Sequence, residues 1–214
     1  MKIGILGTGV VGTTLGSGLA KLGHEVKMGG RTATNEKAAA WVKSAGKNAS
    51  QGTFADAAGH GEMVFNCTGG GVSLLALEAA GAKNLEGKVL VDVSNPLDFS
   101  KGMPPTLSIV NTDSLGERIQ KAFPGARVVK ALNTLSAALM TNPGAVKGET
   151  DLVIAGNDKA AKDQVRKLLE SFGWKSIVDL GDITNARGME MWLALWIRLM
   201  GALGTHVFNL KLVK

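Results

Sequence analysis

The chain begins with a strand pattern that runs directly into a glycine-rich turn. Residues 2–6 are alternating and largely apolar, as in a buried β-strand, and residues 13–22 have the apolar spacing of a helix. Between them, Gly7-Thr8-Gly9-Val10-Val11-Gly12 matches the pattern G-x-G-x-x-G. The first glycine of this pattern permits a tight turn, the second lets the backbone approach a pyrophosphate, and the third lets the helix pack closely on the strand. Because phosphates bind at the positive end of a helix, this order of elements predicts a dinucleotide site.

The end of the second predicted strand indicates which dinucleotide binds. Residues 24–28 lead into Gly29-Gly30-Arg31-Thr32, and this strand end carries no Asp or Glu. NAD-binding folds usually place an acid there to hold the ribose hydroxyls. Arg31 is placed to pair with a 2′-phosphate, Thr32 can add a hydroxyl donor beside Gly30, and Lys37 adds positive charge one helical turn further along. The sequence therefore favours NADP(H) over NAD(H).

Composition limits the classes of partner and of environment. The formal net charge is +6, and the basic residues are spread along the 214-residue chain rather than gathered into an arm for nucleic acid. We therefore expect anionic small molecules as partners and no nucleic acid. The longest apolar stretch, 189–203, is interrupted by Glu190 and Arg198 and is too short to span a bilayer. Because the N-terminus starts on the first core strand, with no room for a signal peptide, we expect a cytoplasmic protein without membrane contact.

Strands and helices alternate along the chain, which is typical of a doubly wound, mostly parallel α/β sheet. We predict a Rossmann domain over 1–140 and a small C-terminal α/β segment over 141–214 for substrate or dimer contacts. A helix predicted over 186–204 is apolar on nearly all sides, so it must pack in the core, in a dimer interface or against a flat ligand. Alternation over 208–212 predicts a final edge strand.

The predicted ligand edge is poor in catalytic groups. Ligands of doubly wound sheets bind outside the carboxyl ends of the strands. The segments predicted to follow these ends are small, polar or glycine-rich, namely Thr68-Gly69-Gly70-Gly71, Ser94-Asn95-Pro96 and Asn133-Thr134. None supplies a metal-ligand set, a Ser-His-Asp order or a pair of opposed carboxylates. We predict that Thr68, Gly69, Gly70, Ser94, Asn95, Pro96, Asn133 and Thr134 border the cofactor, with no metal and no catalytic acid or base.

The shortage of acid–base groups favours direct hydride exchange. Oxidation of an alcohol requires a general base, usually His, Lys or Tyr, and the chain contains no Tyr. Lys130 is the only lysine near the predicted site, and we expect it to point away or into the sheet. The single cysteine, Cys67, is expected to be a packed, inert thiol. Transfer between a nicotinamide and a flavin-like ring needs only stacked rings and the exclusion of water, so we predict no obligatory proton donor.

Several segments resemble one known family. They are the glycine turn at 7–12, the Gly-Gly-Arg-Thr at 29–32, the Asp-Val-Ser-Asn at 92–95 and the most specific stretch, Val-Lys-Ala-Leu-Asn-Thr-Leu-Ser-Ala at 129–137. Together they resemble the F420-dependent NADP oxidoreductases and the NADPH-binding domain of the STEAP ferric reductases. The resemblance implies a Rossmann domain with a small C-terminal segment, often a homodimer. It also implies hydride transfer between NADP and the deazaflavin F420, or electron transfer from NADPH to a flavin.

Two departures from the family pattern and two other functions remain open. Thr68 to Gly71 replace a bulkier, more apolar loop of the deazaflavin-using members, and Gly30 stands where a Ser often precedes the arginine. One alternative is a short relative of the β-hydroxyacid or imine reductases, although those generally carry a catalytic Lys or Asp on a longer helical domain. The other is a non-catalytic NADPH sensor that uses the face of Trp192 and Trp196 as an interaction surface.

Overall fold

The computed structural model describes residues 1–213, with an eight-stranded sheet that carries helices on both faces. The strands are β1 (Lys2–Leu6), β2 (Glu25–Gly30), β3 (Ala49–Thr53), β4 (Met63–Asn66), β5 (Val89–Asp92), β6 (Leu97–Asp98), β7 (Thr106–Leu107), β8 (Arg127–Ala131), β9 (Asp151–Gly156) and β10 (Ser176–Asp179). The helices are α1 (Val10–Lys21), α2 (Glu36–Ala45), α3 (Phe54–His60), α4 (Ser73–Ala80), α5 (Ala82–Leu85), α6 (Leu115–Ala122), α7 (Ala137–Met140), α8 (Lys159–Ser171) and α9 (Ala186–Leu203).

The strand order confirms the predicted doubly wound Rossmann fold. Within the large sheet the order is β10-β9-β8-β5-β4-β1-β2-β3. All neighbouring pairs in this sheet run parallel except β8 and β9, which run antiparallel. The order reverses direction on either side of β1, so β1 pairs with both β2 and β4. Strands β6 and β7 form a separate antiparallel hairpin.

Alternating strand residues divide the core into two layers. Ile5 and Phe65 point to one face of the sheet, where α1, α2 and α8 contribute buried apolar side chains. Leu6 and Val64 point to the other face, where α3, α4 and α6 do the same. Because both faces are covered, the central strands are apolar on both sides and read as nearly continuous hydrophobic runs.

The C-terminal part of the chain extends this sheet. Strand β9 adds to β8, and β10 adds to β9 at the edge. The boundary at residue 140 stays a prediction, but strands β9 and β10, which follow it, belong to the same sheet as the strands before it. The edge strand predicted over 208–212 is wrong. There the chain crosses the start of β9, where the N–H of Asp151 donates to the carbonyl of Leu210 and the Asp151 carboxylate accepts from the N–H of Leu212. An alternating sequence cannot show whether a segment pairs as a strand or makes only isolated hydrogen bonds to its neighbour.

Helix α9 is held to the sheet by a buried ionic network. Its Glu190 is 1% exposed, and its carboxylate lies 2.7 Å from Nζ of Lys130, which is fully buried at the end of β8. Lys130 also contacts a carboxylate oxygen of Asp92 at 2.8 Å and donates to the carbonyl of Ser94 at 2.6 Å. Within residues 1–213, no helix is both long enough and apolar enough to cross a bilayer.

The electrostatics of this network keep Lys130 charged. Burial alone lowers the pKa of Lys130, but the attraction of Asp92 and Glu190 outweighs it and raises the pKa above the ordinary lysine value. Glu190 is itself satisfied from its other side, because it accepts from the N–H groups of Leu115 and Gly116 at the start of α6. Lys130 was predicted to point away from the site or into the sheet; it is fully buried, and its ammonium group contacts the carbonyl of Ser94 at the ligand edge from within the protein.

Replacement of Lys130 should strongly destabilise the fold. Lys130→Met keeps most of the side-chain volume but leaves two buried carboxylates without their cation, and we expect a loss of about 3–5 kcal/mol in the free energy of unfolding. Chemical denaturation followed by circular dichroism measures this loss. Lys159→Met is the matched control, because Lys159 forms an exposed ion pair with Asp163 and should leave the midpoint unchanged. Equal midpoints for both variants would contradict the role of the buried network.

Candidate functional site

The carboxyl ends of five neighbouring strands bring the predicted site segments together. Strands β8, β5, β4, β1 and β2 lie next to one another in that order. The segments that follow them are Asn133-Thr134 shortly after β8, Ser94-Asn95-Pro96 after β5, Thr68-Gly69-Gly70 after β4, the glycine turn at 7–12 after β1, and Arg31-Thr32 after Gly30 of β2. All of these predicted segments therefore lie along one edge of the sheet, where doubly wound folds bind ligands.

The outer glycines of the turn are required by close backbone packing. Gly7 has a φ of +115°, and a Cβ there would lie 2.7 Å from the carbonyl oxygen of Cys67. The N–H of Gly7 donates to the carbonyl of Gly29 at 3.0 Å, which joins the turn to β2. A Cβ on Gly12 would lie 2.2 Å from the carbonyl oxygen of Gly7. Both positions have the geometry that the motif predicts for its first and third glycines.

The middle of the turn faces open space. A Cβ on Gly9 would meet no atom within 4 Å. Helix α1 begins at Val10, and the N–H of Thr13 donates to the carbonyl of Gly9 at 2.9 Å. The N–H groups of Val10 and Val11 precede this first helical hydrogen bond in the chain, so they have no acceptor within the helix. This exposed, positive helix end fits a pyrophosphate.

The groups predicted to bind the 2′-phosphate lie beyond the end of β2. Arg31 is exposed and forms no ion pair with any residue in the range 1–213. The hydroxyl of Thr32 donates to the carbonyl of Thr34 at 2.9 Å, so this hydrogen is already used. Lys37, on α2, lines a groove of about 1040 Å³ whose near end is formed by Thr8, Gly9 and Val10. Positive charge therefore borders the turn on the β2 side.

A second cleft, of about 340 Å³, lies beside Val11 on the opposite side of the turn. It is lined by Val11, Cys67, Thr68, Gly69, Gly70, Gly71, Val72, Val93, Ser94, Asn95, Leu97 and Phe99. One wall contains the glycines after β4, and the other contains the segment after β5. The two walls are in contact at Gly70, where a Cβ would lie only 2.0 Å from the carbonyl oxygen of Asn95. Leu97 and Phe99 were missed in the sequence analysis, because nothing in a loop sequence shows that its apolar side chains turn towards the strand ends.

Hydrogen bonds between Asn95 and Asn133 join the cleft wall after β5 to the segment Asn133-Thr134 after β8, here called the β8 loop. Nδ2 of Asn95 donates to the carbonyl of Asn133 at 2.9 Å, and Nδ2 of Asn133 donates to Oδ1 of Asn95 at 2.9 Å and to the carbonyl of Met189 at 3.1 Å. The carbonyl of Thr134 accepts from the indole N–H of Trp192 at 3.2 Å. The β8 loop is therefore fixed between the cleft and α9.

A buried polar network supports the cleft from below. Nδ2 of Asn66, at the end of β4, donates to Asp92 Oδ1 at 2.9 Å, and the hydroxyl of Ser94 donates to the same oxygen at 2.7 Å. Thr68 Oγ1 donates to Asn66 Oδ1 at 2.6 Å. Asn66 and Asp92 were not predicted to support the site. Their signal was present, since each is a polar residue that closes an apolar strand.

The chemistry available at the cleft is limited. Burial, and then the negative charge of Asp92, raise the pKa of the Cys67 thiol far above its usual range, which fits the prediction of an inert thiol. Across residues 1–213, no three His, Cys, Asp or Glu side chains are grouped so that they could hold a metal ion. The arrangement can bind a phosphorylated nucleotide and place a flat ring against small residues, and it leaves proton transfer to solvent.

Comparison with known proteins identifies similar chains. Residues 2–96 match the family model described as "NADP oxidoreductase coenzyme F420-dependent". The F420-dependent NADP reductase of Methanothermobacter marburgensis is 32% identical over 93% of this chain and 92% of its own length. The metalloreductase STEAP3 of Rattus norvegicus is also 32% identical over 93% of this chain, but this chain spans only 37% of that protein.

Solved structures include a close match. The crystal structure of a candidate F420-dependent NADP reductase from Arthrobacter sp. FB24 is 53% identical, covers 100% of both chains and superposes with a TM-score of 0.96. An imine reductase from Bacillus cereus is 21% identical, with a TM-score of 0.67 over 94% of this chain and 62% of its own. At that identity the likeness shows the fold alone.

The two adjacent glycines Gly70 and Gly71 permit a matched test of the cleft. Gly70→Ala should force the Asn95 carbonyl away, and we expect a loss of about 1–3 kcal/mol in unfolding free energy from overpacking. Gly71→Ala should leave the stability unchanged, because a Cβ there meets no atom within 4 Å. Denaturant unfolding of the two variants measures the difference. If Gly70→Ala were as stable as Gly71→Ala, the close contact between the two walls would be disproved.

Proposed function

Because this chain belongs to the family of coenzyme F420-dependent NADP oxidoreductases, we propose that it exchanges hydride directly between NADP(H) and a deazaflavin of the F420 type. It is an NADP-dependent oxidoreductase, and NADP(H) is its nucleotide. The identity of the acceptor is the proposed part. The single observation that carries the proposal is that two clefts border the open N-terminus of α1, the larger at Val10 and the smaller at Val11.

The binding mode that we propose follows the edge of the sheet. The pyrophosphate binds the N–H groups of Val10 and Val11 in the open space beside Gly9. A side chain at position 9 would occupy that space. The 2′-phosphate pairs with the guanidinium of Arg31, and Lys37 adds charge from α2. Support comes from the exposure of Arg31, which no carboxylate within residues 1–213 neutralises in an ion pair.

The nicotinamide belongs, on this proposal, in the 340 Å³ cleft between the glycines after β4 and the segment after β5. When bound there, NADPH supplies a hydride from C4, carrying two electrons, to the acceptor ring, and that ring takes one proton from solvent. Gly69 and Gly71 carry no side chain that would block a second ring. The space beside each is open, since a Cβ built on either would meet no atom within 4 Å. Leu97 and Phe99 add apolar surface to the same cleft, and no protein acid or base is required.

Two observations weigh against the alternative functions. A hydroxyacid or imine reductase would need a lysine or carboxylate facing the substrate, but Lys130 is fully buried and ion-paired to Asp92 and Glu190. A sensor would expose the face of Trp192 and Trp196. Trp196 is instead 9% exposed and stacks on Phe208 with ring centroids 5.2 Å apart. The homodimer remains a proposal, supported by the exposed apolar side chains of Leu195 and Leu203 on α9.

Arg31 provides the test of cofactor choice. Arg31→Ala removes charge-assisted hydrogen bonds to the 2′-phosphate, so we expect Kd for NADPH to rise about 10- to 100-fold while Kd for NADH hardly changes. Calorimetry with both nucleotides measures the two constants. Lys47→Ala is a control for the loss of one positive charge. Lys47 is exposed and lies before the amino end of β3, whereas Arg31 follows the carboxyl end of β2. A similar rise for NADPH and NADH would refute the assignment.

Stopped-flow spectroscopy tests the acceptor. Enzyme loaded with NADPH is mixed with F420, FMN or FAD, and the loss of NADPH absorbance at 340 nm is followed with the change of the acceptor spectrum. We expect oxidation of NADPH by F420, with a rate that does not require a titrating protein group. Turnover with FMN or FAD and none with F420 would replace the deazaflavin by a flavin. Tight NADPH binding without turnover of any acceptor would favour the sensor.

A further inference from the structure

Asn95 presents an amide whose hydrogen-bonding capacity is only half used. A side-chain amide offers two N–H donors and a carbonyl oxygen with two lone pairs. Asn133 takes one N–H and supplies one donor to the oxygen. One N–H and one lone pair of Asn95 therefore remain available, on a partly buried residue that lines the 340 Å³ cleft.

The orientation of this amide is set by the core rather than by the loop. Asn133 is 2% exposed and is fixed in turn by the carbonyl of Met189 on α9. The residue after Met189 is Glu190, which pairs with Lys130, and Lys130 donates to the carbonyl of Ser94, the residue before Asn95. These contacts close a ring through β5, β8 and α9. An amide held in this way loses little conformational entropy when a ligand binds.

We propose that the amide of Asn95 recognises the carboxamide group of the nicotinamide, with Asn133 as its positioning residue. A carboxamide carries both an N–H donor and a carbonyl acceptor, which complement the remaining lone pair and N–H of Asn95. Recognition of this group would fix the rotation of the ring and so decide which face of C4 meets the acceptor. This inference rests on the proposed binding of NADP(H) across the N-terminus of α1.

The test compares three nucleotides by calorimetry on the full chain. NADP⁺ carries the carboxamide, 3-acetylpyridine adenine dinucleotide phosphate replaces its NH₂ by a methyl group, and 2′,5′-ADP lacks the whole ring. We expect wild-type protein to bind the acetyl analogue about 10-fold more weakly than NADP⁺, because one lone pair of Asn95 loses its donor. Asn95→Ala should bring that ratio close to one and leave Kd for 2′,5′-ADP unchanged.

Two further variants separate positioning from simple loss of structure. Asn133→Ala removes the donor to Oδ1 of Asn95 but keeps the main-chain carbonyl that accepts from Nδ2, so one bond instead of two holds the Asn95 amide. The ratio between NADP⁺ and the analogue should therefore fall while Kd for 2′,5′-ADP stays constant. Arg31→Ala should weaken all three nucleotides and preserve the ratio, because it acts only on the 2′-phosphate. A merely structural defect would instead weaken 2′,5′-ADP together with the other two nucleotides.

The outcomes distinguish this inference from the proposed function. Equal affinity of wild-type protein for NADP⁺ and the acetyl analogue would overturn the role of Asn95, and this comparison needs no variant to fold. An unchanged ratio in Asn95→Ala would overturn it as well. Failure of both NADP⁺ and 2′,5′-ADP to bind would contradict the proposed binding mode itself. If NADP⁺ and 2′,5′-ADP both bind, and Asn95→Ala removes the discrimination against the acetyl analogue, the binding mode and the role of Asn95 are both supported.

Discussion

The ammonium group of Lys130 joins the parts of the molecule on which the site depends. Its three contacts go to Asp92 at the end of β5, to the carbonyl of Ser94 in the cleft wall, and to Glu190 on α9. Glu190 continues the connection to the N-terminus of α6. A buried charge of this kind is tolerated only when every partner is in place, so the position of the cleft wall follows from the packing of the core.

This arrangement suits a reaction that demands position more than proton transfer. Hydride exchange between two rings requires a close, aligned approach and the exclusion of water, and neither needs a titrating side chain at the reacting atoms. Small residues after β4 leave room for rings, while Asn66 and Asp92 beneath the cleft hold the loops through buried hydrogen bonds. The charged groups near the cleft therefore act as supports rather than as catalysts.

The sequence predicted best what is local. The turn between β1 and α1 was predictable because Gly7 and Gly12 make backbone contacts that any side chain would prevent, and the motif spacing encodes those contacts. The helix start was placed at Thr13, although α1 begins at Val10, because the predicted apolar spacing starts only after the turn. The cofactor preference was also predictable from local sequence, because the presence of Arg31 and the lack of an acid at the end of β2 are both visible there.

Long-range pairing was not predictable. Lys130 and Glu190 are far apart in the chain, and the sequence of α9 reads as apolar nearly all round, so it does not show that Glu190 faces inward while Leu195 is 51% exposed. The contact of Asn133 with the carbonyl of Met189 on α9 likewise joins residues that are distant in the sequence. The segment at 208–212 was predicted as a strand because its alternation is visible in the sequence, whereas its isolated hydrogen bonds to Asp151 are not.

A crystal structure of the protein with NADP⁺ tests the central claim most directly, namely that the nucleotide lies across the N-terminus of α1 with its ring in the smaller cleft. We predict pyrophosphate oxygens within hydrogen-bonding distance of the N–H groups of Val10 and Val11, the 2′-phosphate on Arg31, and the nicotinamide in the 340 Å³ cleft that Asn95 lines. A pyrophosphate bound away from this helix end, or a nicotinamide outside the cleft after β4 and β5, would contradict it.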